Sequence, residues 1–443
     1  MLEKFYLSRH LTLRLKTQLS YVILFFTSIL LLTAYREGGP KDVGISNFPH
    51  LRDAGVYLEV GRYILAGENP YIPPMSRWGT FGPIPFTLFF DLFPDSILTI
   101  VFQTANLIGI YFFLSLLLRN RNLPSWRINL GATLIFICSP VREMLSTNQI
   151  IGITVGFFSL GIWCFLESKK QISRILPRLV WLLISGFAFA VSVDLKPHLF
   201  LVIFVCVVFM WETWKLPVTV ICILILSHSL VNLSQMRILE KDWLDTLLNL
   251  RESAGDNSLG DTLAIWPLVA HWFQNFNYSA QAGLLLPLIL SVGAILQVRR
   301  NKNQIGIFLG LLAPSVSFYS HYYDLIPVLI FAVSIFINSH DDFIPLFAIS
   351  FCILPLRLDS FQNLVLLFTG IIFCSILLQI RKKRIVLAVL GVVAGVVFRW
   401  LIFSPDYSDY LIQSTIVTGT ILVLSLGLIS NNSNKGFQEA ILK

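Results

Sequence analysis

The chain has 443 residues, of which 55% are hydrophobic and 13% charged, and its formal net charge at pH 7 is +8. A soluble domain carries about 25% charged residues. This composition, with apolar runs from end to end, excludes an ordinary soluble protein and predicts a polytopic α-helical membrane protein. The continuous runs also exclude an outer-membrane β-barrel, whose strands alternate apolar and polar residues. Basic residues cluster beside apolar segments, which indicates membrane anchoring and no nucleic-acid partner.

The N-terminal basic lead and the apolar run after it are interpreted as a retained first span or signal-anchor. Several of the apolar segments that follow are shorter than the ~20 residues that a perpendicular span needs, so 11–14 spans are predicted. The candidate spans are 18–35, 97–118, 128–139, 149–166, 179–194, 198–213, 217–233, 282–297, 305–319, 325–338, 343–356, 361–380, 385–403 and 411–429. A single all-α integral-membrane domain over residues 1–443 is the simplest interpretation.

The distribution of Lys and Arg predicts the orientation of these spans. With the N-terminus in the cytoplasm, 21 of the 33 basic residues fall in cytoplasmic segments, and 11 fall in outside segments that include the longest loops. This asymmetry follows the positive-inside rule. The sequence thus predicts an integral protein of the cell membrane with two long extracytoplasmic loops, 36–96 and 234–281.

The first of these loops contains "HLRDAGVYLEVGRYILAGENPYIPP", residues 50–74. Its apolar residues recur at helical spacing, which predicts a short interfacial helix with Asp53 at its N-terminus and an end at Gly67. Glu59, Arg62 and Glu68 are predicted to be surface charges. The segment "GPIPFTLFFDLFP" (82–94) and loop 234–281 are predicted to form further short helices at the membrane interface.

The sequence contains polar residues that its apolar composition does not explain. In this topology, all of them lie on the extracytoplasmic face. They are Asp53; Asn148 and Gln149; Asp194, Lys196 and His198; Asp256, Asn257, Ser258 and Asp261; and His321, Tyr322, Tyr323 and Asp324. Each has a structural interpretation when taken alone, as a helix cap, a turn, a snorkelling lysine or part of an aromatic belt. Their grouping on one face favours a single active site in the first loop and its neighbours.

These residue types together suit sugar transfer from a lipid phosphate. A carboxylate can take the proton of an attacking hydroxyl. Lys and His can stabilise a phosphate leaving group. Tyr, Asn and Gln suit the polar edges and apolar faces of a sugar. The chain shows no Gly-rich phosphate loop, which disfavours a nucleotide-sugar donor.

Five segments in order resemble a known enzyme family. They are "RDAGVYLEVGRYILAGENPY" (52–71), "NQIIGITVGFFSLGIW" (148–163), "DLKPHLFLV" (194–202), "DNSLGD" (256–261) and "SFYSHYYDLIPVLI" (317–330). This set is similar to the GT-C glycosyltransferases of the polyprenyl-phosphate-mannose-dependent mannosyltransferase type, glycosyltransferase family 87. The resemblance implies transfer of a hexose, mannose by family default, from a polyprenyl-phosphate sugar to a lipid or glycan acceptor hydroxyl, with inversion and without a cofactor.

The resemblance also implies roles for particular residues. Asp53 matches the acid proposed as general base, Lys196 matches a lysine near the donor phosphate, and His321 and Gln149 match polar active-site positions. The remaining predicted substrate-binding residues are Tyr57, Tyr71, His198, Asn257 and Tyr322. Two departures, "WGTFGPIPF" in the first loop and "KPH" in place of Lys-Pro-Gln, bear on the sugar and the acceptor rather than on the reaction class.

Three alternatives remain open from the sequence. A transporter or flippase of a lipid-linked sugar would also carry ionisable residues in the membrane. A non-catalytic scaffold would not bring Asp53, Lys196 and His321 together. Another kind of GT-C enzyme is disfavoured because Ala54, and not a second acid, follows Asp53. No metal site is predicted, because the spacing of Asp256 and Asp261 matches no known metal loop.

Overall fold

The computed structural model describes residues 2–34, 53–69, 83–118, 123–171, 173–196, 221–227 and 322–338, and also the single residues 230, 234 and 394. All regular secondary structure in these ranges is helical. The helices are α1 (Leu2–Ala34), α2 (Asp53–Leu65), α3 (Pro83–Phe90), α4 (Asp95–Leu118), α5 (Ser125–Phe136), α6 (Ser139–Thr147), α7 (Ile151–Lys170), α8 (Ile175–Leu195) and α9 (Ile326–Asn338). A 3-10 turn, Tyr322–Leu325, leads directly into α9.

Four of these helices are long and apolar enough to cross a membrane, over Arg14–Ala34, Ile97–Leu118, Ile151–Lys170 and Ile175–Leu195. Helices α5 and α6 together give a fifth candidate that is bent by 63°. These helices confirm the predicted all-α membrane architecture and coincide with predicted spans 18–35, 97–118, 149–166 and 179–194. Predicted spans 198–213, 282–297, 305–319, 343–356, 361–380, 385–403 and 411–429 lie outside the described residues, apart from residue 394.

Helices α1 and α8 turn broad apolar surfaces outward. Leu15 and Leu30 on α1, and Ile175, Leu176 and Phe187 on α8, are exposed. Lipid tails are as apolar as leucine, so these exposed surfaces are suited to contact with the bilayer. The inner faces of the spans carry the packed core.

Helix α7 packs against α4 on one side and α8 on the other. Gly109 of α4 lies so close to α7 that a Cβ there would collide with the carbonyl oxygen of Gly152, and Gly156 faces the Cα of Gly109. On the other side, the Ser185 hydroxyl of α8 donates to the carbonyl of Gly161 at 2.7 Å. Small residues and interhelical hydrogen bonds are what permit such close approach between membrane helices.

The Gly109 contact gives a stability prediction. Gly109→Ala places a methyl group against the α7 backbone, which cannot rotate away, so we expect a loss of about 1–3 kcal/mol of stability. The measurement is the unfolding midpoint of the purified protein in detergent. Ile108→Ala, at the adjacent and exposed position of the same helix, is the matched control. Equal midpoints for the two variants would contradict the close helix contact.

Helices α2 and α3 lie across one end of the bundle. Their buried residues form a core cluster with α4, α7 and α8: Ala54, Leu58, Phe86, Phe90, Leu98, Phe102, Ile150, Ile153, Val191 and Leu195. The predicted short helix is therefore confirmed as α2, and its place at the membrane interface stays a prediction. Its end is also as predicted, because Gly67 has a φ of 75° and Glu68 N–H donates to the Tyr63 carbonyl at 2.8 Å, a Schellman motif.

Helix α6 is an element that the sequence prediction missed. Residues 140–148 lie between predicted spans 128–139 and 149–166, and no helix was predicted there. Instead Val141, Met144 and Leu145 are fully buried, which gives this nine-residue helix an apolar face. Asn148, with a left-handed φ of 50°, ends the helix and turns the chain into α7.

Candidate active site

Helix α2 places Asp53 at one end of the bundle. Asp53 is its first residue, and the next residue, Ala54, is fully buried in the core cluster. One helical turn after Asp53, the hydroxyl of half-buried Tyr57 donates to the carbonyl oxygen of Leu195 at 3.3 Å. The helix that begins with Asp53 is thus tied to the last residue of α8.

Lys196 follows directly after α8 and faces a buried acid from a distant part of the chain. Its backbone N–H donates to the Ser192 carbonyl at 3.0 Å, which fixes the start of the side chain. Its Nζ lies 3.5 Å from Oδ1 of Asp324 in the 3-10 turn, and the two side chains are 13% and 1% exposed. Asp194, in the last turn of α8, is also buried. A lysine ammonium paired with a buried carboxylate is thus held at the end of α8.

The turn between α6 and α7 brings Asn148 and Gln149 to the same end of the bundle. Both are buried. Gln103 of α4 donates from Nε2 to the Leu145 carbonyl and to Oδ1 of Asn148, each at 3.1 Å. These bonds hold the end of α6 in place, and α6 in turn packs against the 3-10 turn that carries Asp324.

Asn106, one turn further along α4, holds the start of α7. Its Oδ1 accepts a hydrogen bond from the backbone N–H of Ile153 at 3.1 Å. The first N–H groups of a helix have no partner inside the helix, so this contact caps α7 from a neighbouring span. Polar residues inside the apolar run of α4 were the signal that could have identified this pair of clamps, Gln103 and Asn106.

The core cluster shows how the segments that carry three predicted site residues come together. It contains Ala54, Ile150 and Leu195, which are the immediate chain neighbours of Asp53, Gln149 and Lys196 respectively. The start of α2, the start of α7 and the end of α8 therefore meet around one apolar centre.

The other predicted site residues are placed only in part. Tyr322 is the first residue of the 3-10 turn, two positions before Asp324. Tyr71, His198, Asn257 and His321 lie outside the described residues, as do Asp256 and Asp261.

One of the three predicted surface charges is buried, so that prediction was wrong for it. Glu59 is 4% exposed, because α3 packs on this part of α2: the Thr87 hydroxyl donates to the Leu58 carbonyl at 3.3 Å. Arg62 is a surface charge as predicted. Its guanidinium pairs at 2.5 Å with Asp91, the residue that follows α3, and both side chains are about two-fifths exposed. Glu68 is exposed.

The chemistry available at this end of the bundle is acid–base and electrostatic. The segments that carry Asp53, Gln149 and Lys196 meet around apolar and aromatic residues of α3 and α4. In the described ranges, no group of three His, Cys, Asp or Glu side chains is placed to hold a metal ion.

Comparison with known proteins matches the chain to a family model and to solved structures. The sequence model of glycosyltransferase family 87 matches residues 81–317. The crystal structure of ArnT from Cupriavidus metallidurans bound to undecaprenyl phosphate aligns with 95% of this chain and 77% of that chain, at 13% identity and a TM-score of 0.40. No curated protein sequence matches the chain.

Proposed function

Since the chain belongs to glycosyltransferase family 87 and is a membrane glycosyltransferase, we propose that it moves a hexose from a polyprenyl-phosphate sugar to an acceptor hydroxyl. Mannose is the proposed sugar, as the default of the family. The reaction is proposed to take place on the extracytoplasmic face, at the end of the bundle where α2 meets α7 and α8. The acceptor is a lipid or a glycan.

The observation that carries this proposal is the meeting of three separate parts of the chain. Helix α2, which starts at Asp53, is bonded through Tyr57 to Leu195, and the adjacent Lys196 pairs with Asp324. Residues 53–57 and 324 lie outside the matched range 81–317, so the structure joins them to the family segment independently of the sequence match. This arrangement supports the proposal of a base at Asp53 and a phosphate ligand at Lys196 at the same end of the bundle.

In the proposed reaction Asp53 is the general base. It takes the proton of the acceptor hydroxyl while that oxygen attacks the anomeric carbon of the donor sugar. The bond from the anomeric carbon to the phosphate oxygen breaks in the same displacement, so the configuration inverts and polyprenyl phosphate leaves. No second carboxylate has to form a covalent intermediate.

Lys196 is proposed to bind the donor phosphate. A sugar phosphodiester carries one negative charge, and the departing phosphate monoester carries about −1.5 to −2 at pH 7. An ammonium group in a site with little solvent stabilises that gain of charge better than water does. Tyr57, Gln149 and the aromatic walls of α3 then remain for the sugar ring.

The test is transfer by the purified full-length protein in detergent. Polyprenyl-phosphate mannose is supplied with a lipid extract from a strain that lacks the gene, and products are followed by mass spectrometry. We expect consumption of the donor and a product heavier by one hexose. Because detergent leaves no second compartment, a transporter of the same lipid would give no turnover, and an intact donor would count against the proposal.

A further inference from the structure

The pair of Lys196 and Asp324 has a consequence for how the proposed phosphate site releases its product. Asp324 is 1% exposed and its Oδ1 lies 3.5 Å from Nζ of Lys196, which is itself only 13% exposed. The two residues are 128 positions apart and are held by different elements, the end of α8 and the 3-10 turn before α9. The carboxylate is fixed by the fold, since its neighbours Leu325 and Ile326 are also buried.

A phosphate ligand of Lys196 must share the ammonium group with this carboxylate. The ammonium has three N–H donors, so it can bind a phosphate oxygen while it stays near Asp324. The phosphate and the carboxylate would then lie against the same ammonium group and repel each other. This repulsion grows as the charge of the phosphate grows. It therefore acts more strongly on the departing polyprenyl phosphate than on the donor phosphodiester.

We propose that Asp324 is a positioning residue that competes with the lipid phosphate for the Lys196 ammonium and thereby keeps the polyprenyl phosphate product releasable. This inference rests on the proposed role of Lys196 at the donor phosphate. Binding of a dianion to a lysine without a counter-ion would be strong and slow to reverse. With Asp324 in place, the lysine is oriented for the phosphate, and its net attraction is reduced.

The test is the affinity of the full-length protein in detergent micelles for farnesyl phosphate, a short polyprenyl monophosphate. We expect Asp324→Asn to bind this probe about tenfold more tightly than the unsubstituted protein, because the removed charge no longer opposes the phosphate. Asp324→Glu keeps the charge and should stay near the original affinity. A merely structural role would move the affinity in the opposite direction, since a loosened site binds less well.

Two controls separate the effect on Lys196 from a general loss of negative charge. Glu167→Gln removes a carboxylate that pairs with Lys170 at 2.8 Å. That pair lies at the C-terminal end of α7, about 30 Å from the start of that helix, which is the end near Lys196. The affinity should therefore not change. Lys196→Gln combined with Asp324→Asn should bind more weakly than the unsubstituted protein. If the double variant binds as tightly as Asp324→Asn alone, the gain does not act through Lys196 and the inference fails.

The remaining outcomes distinguish this inference from the proposed function beneath it. If Lys196→Gln leaves the affinity for farnesyl phosphate unchanged, Lys196 is not the phosphate ligand and both proposals fall. If Lys196→Gln weakens binding but folded Asp324→Asn is no tighter than the original, only the role of Asp324 is overturned. Should Asp324→Asn not fold, Asp324→Ser removes the same charge with a smaller side chain and carries the same expectation.

Discussion

Replacing Asp53 with asparagine is expected to lower kcat by about 10²–10⁴-fold, the range that a general base contributes. The amide keeps the size of the side chain at the first position of α2 but cannot accept the proton of the acceptor hydroxyl. The KM for the donor should change little, because the base acts on the acceptor only as the bond forms. The measurement is the initial rate of hexose transfer by purified protein in detergent over a range of donor concentrations.

The matched control for this substitution is Glu68→Gln. Glu68 is an exposed acid just beyond the other end of the same helix, so removal of its charge should leave the rate near the original. Asp53→Glu keeps a carboxylate and should recover part of the activity. Full turnover by a folded Asp53→Asn protein, checked by its unfolding midpoint, would remove Asp53 from the role of base.

The short helix that carries Asp53 could be predicted because its signals are local. Apolar residues at helical spacing and a glycine that takes φ of 75° define α2 without knowledge of any other element. The span Ile97–Leu118 was predicted with the same bounds, since an apolar run that ends at basic residues needs no tertiary information.

The features that the sequence did not reveal depend on contacts between distant segments. Glu59 looks like a surface residue of an isolated helix, and it is buried because α3 covers it. Asp324 belongs to the predicted polar set, but nothing local assigns it to Lys196 rather than to any other cation of the chain. Gln103 and Asn106 could be recognised as unusual inside an apolar span, whereas their partners Leu145 and Ile153 follow only from the packing of α4 against the α6–α7 turn.

Replacing Lys196 with glutamine is expected to lower kcat/KM by about 10²–10³-fold, the cost of removing one group that stabilises developing negative charge. Part of this loss should be in kcat, because the phosphate gains charge as the sugar departs and the ammonium attracts it most in the transition state. The substitution also leaves the buried Asp324 carboxylate without its cation, which adds repulsion toward the donor. Initial rates at varied donor concentration separate the effects on kcat and KM.

The repulsion from Asp324 can be measured by its removal from the Lys196→Gln protein. Lys196→Gln combined with Asp324→Asn should regain part of the lost donor affinity but little of kcat, because no cation is restored. Lys170→Gln, which removes a lysine from the opposite end of α7, should leave both constants near their original values. A rise in KM with an unchanged kcat in Lys196→Gln would mean that the lysine holds donor and transition state equally well, and its proposed part in stabilising the leaving phosphate would then be wrong.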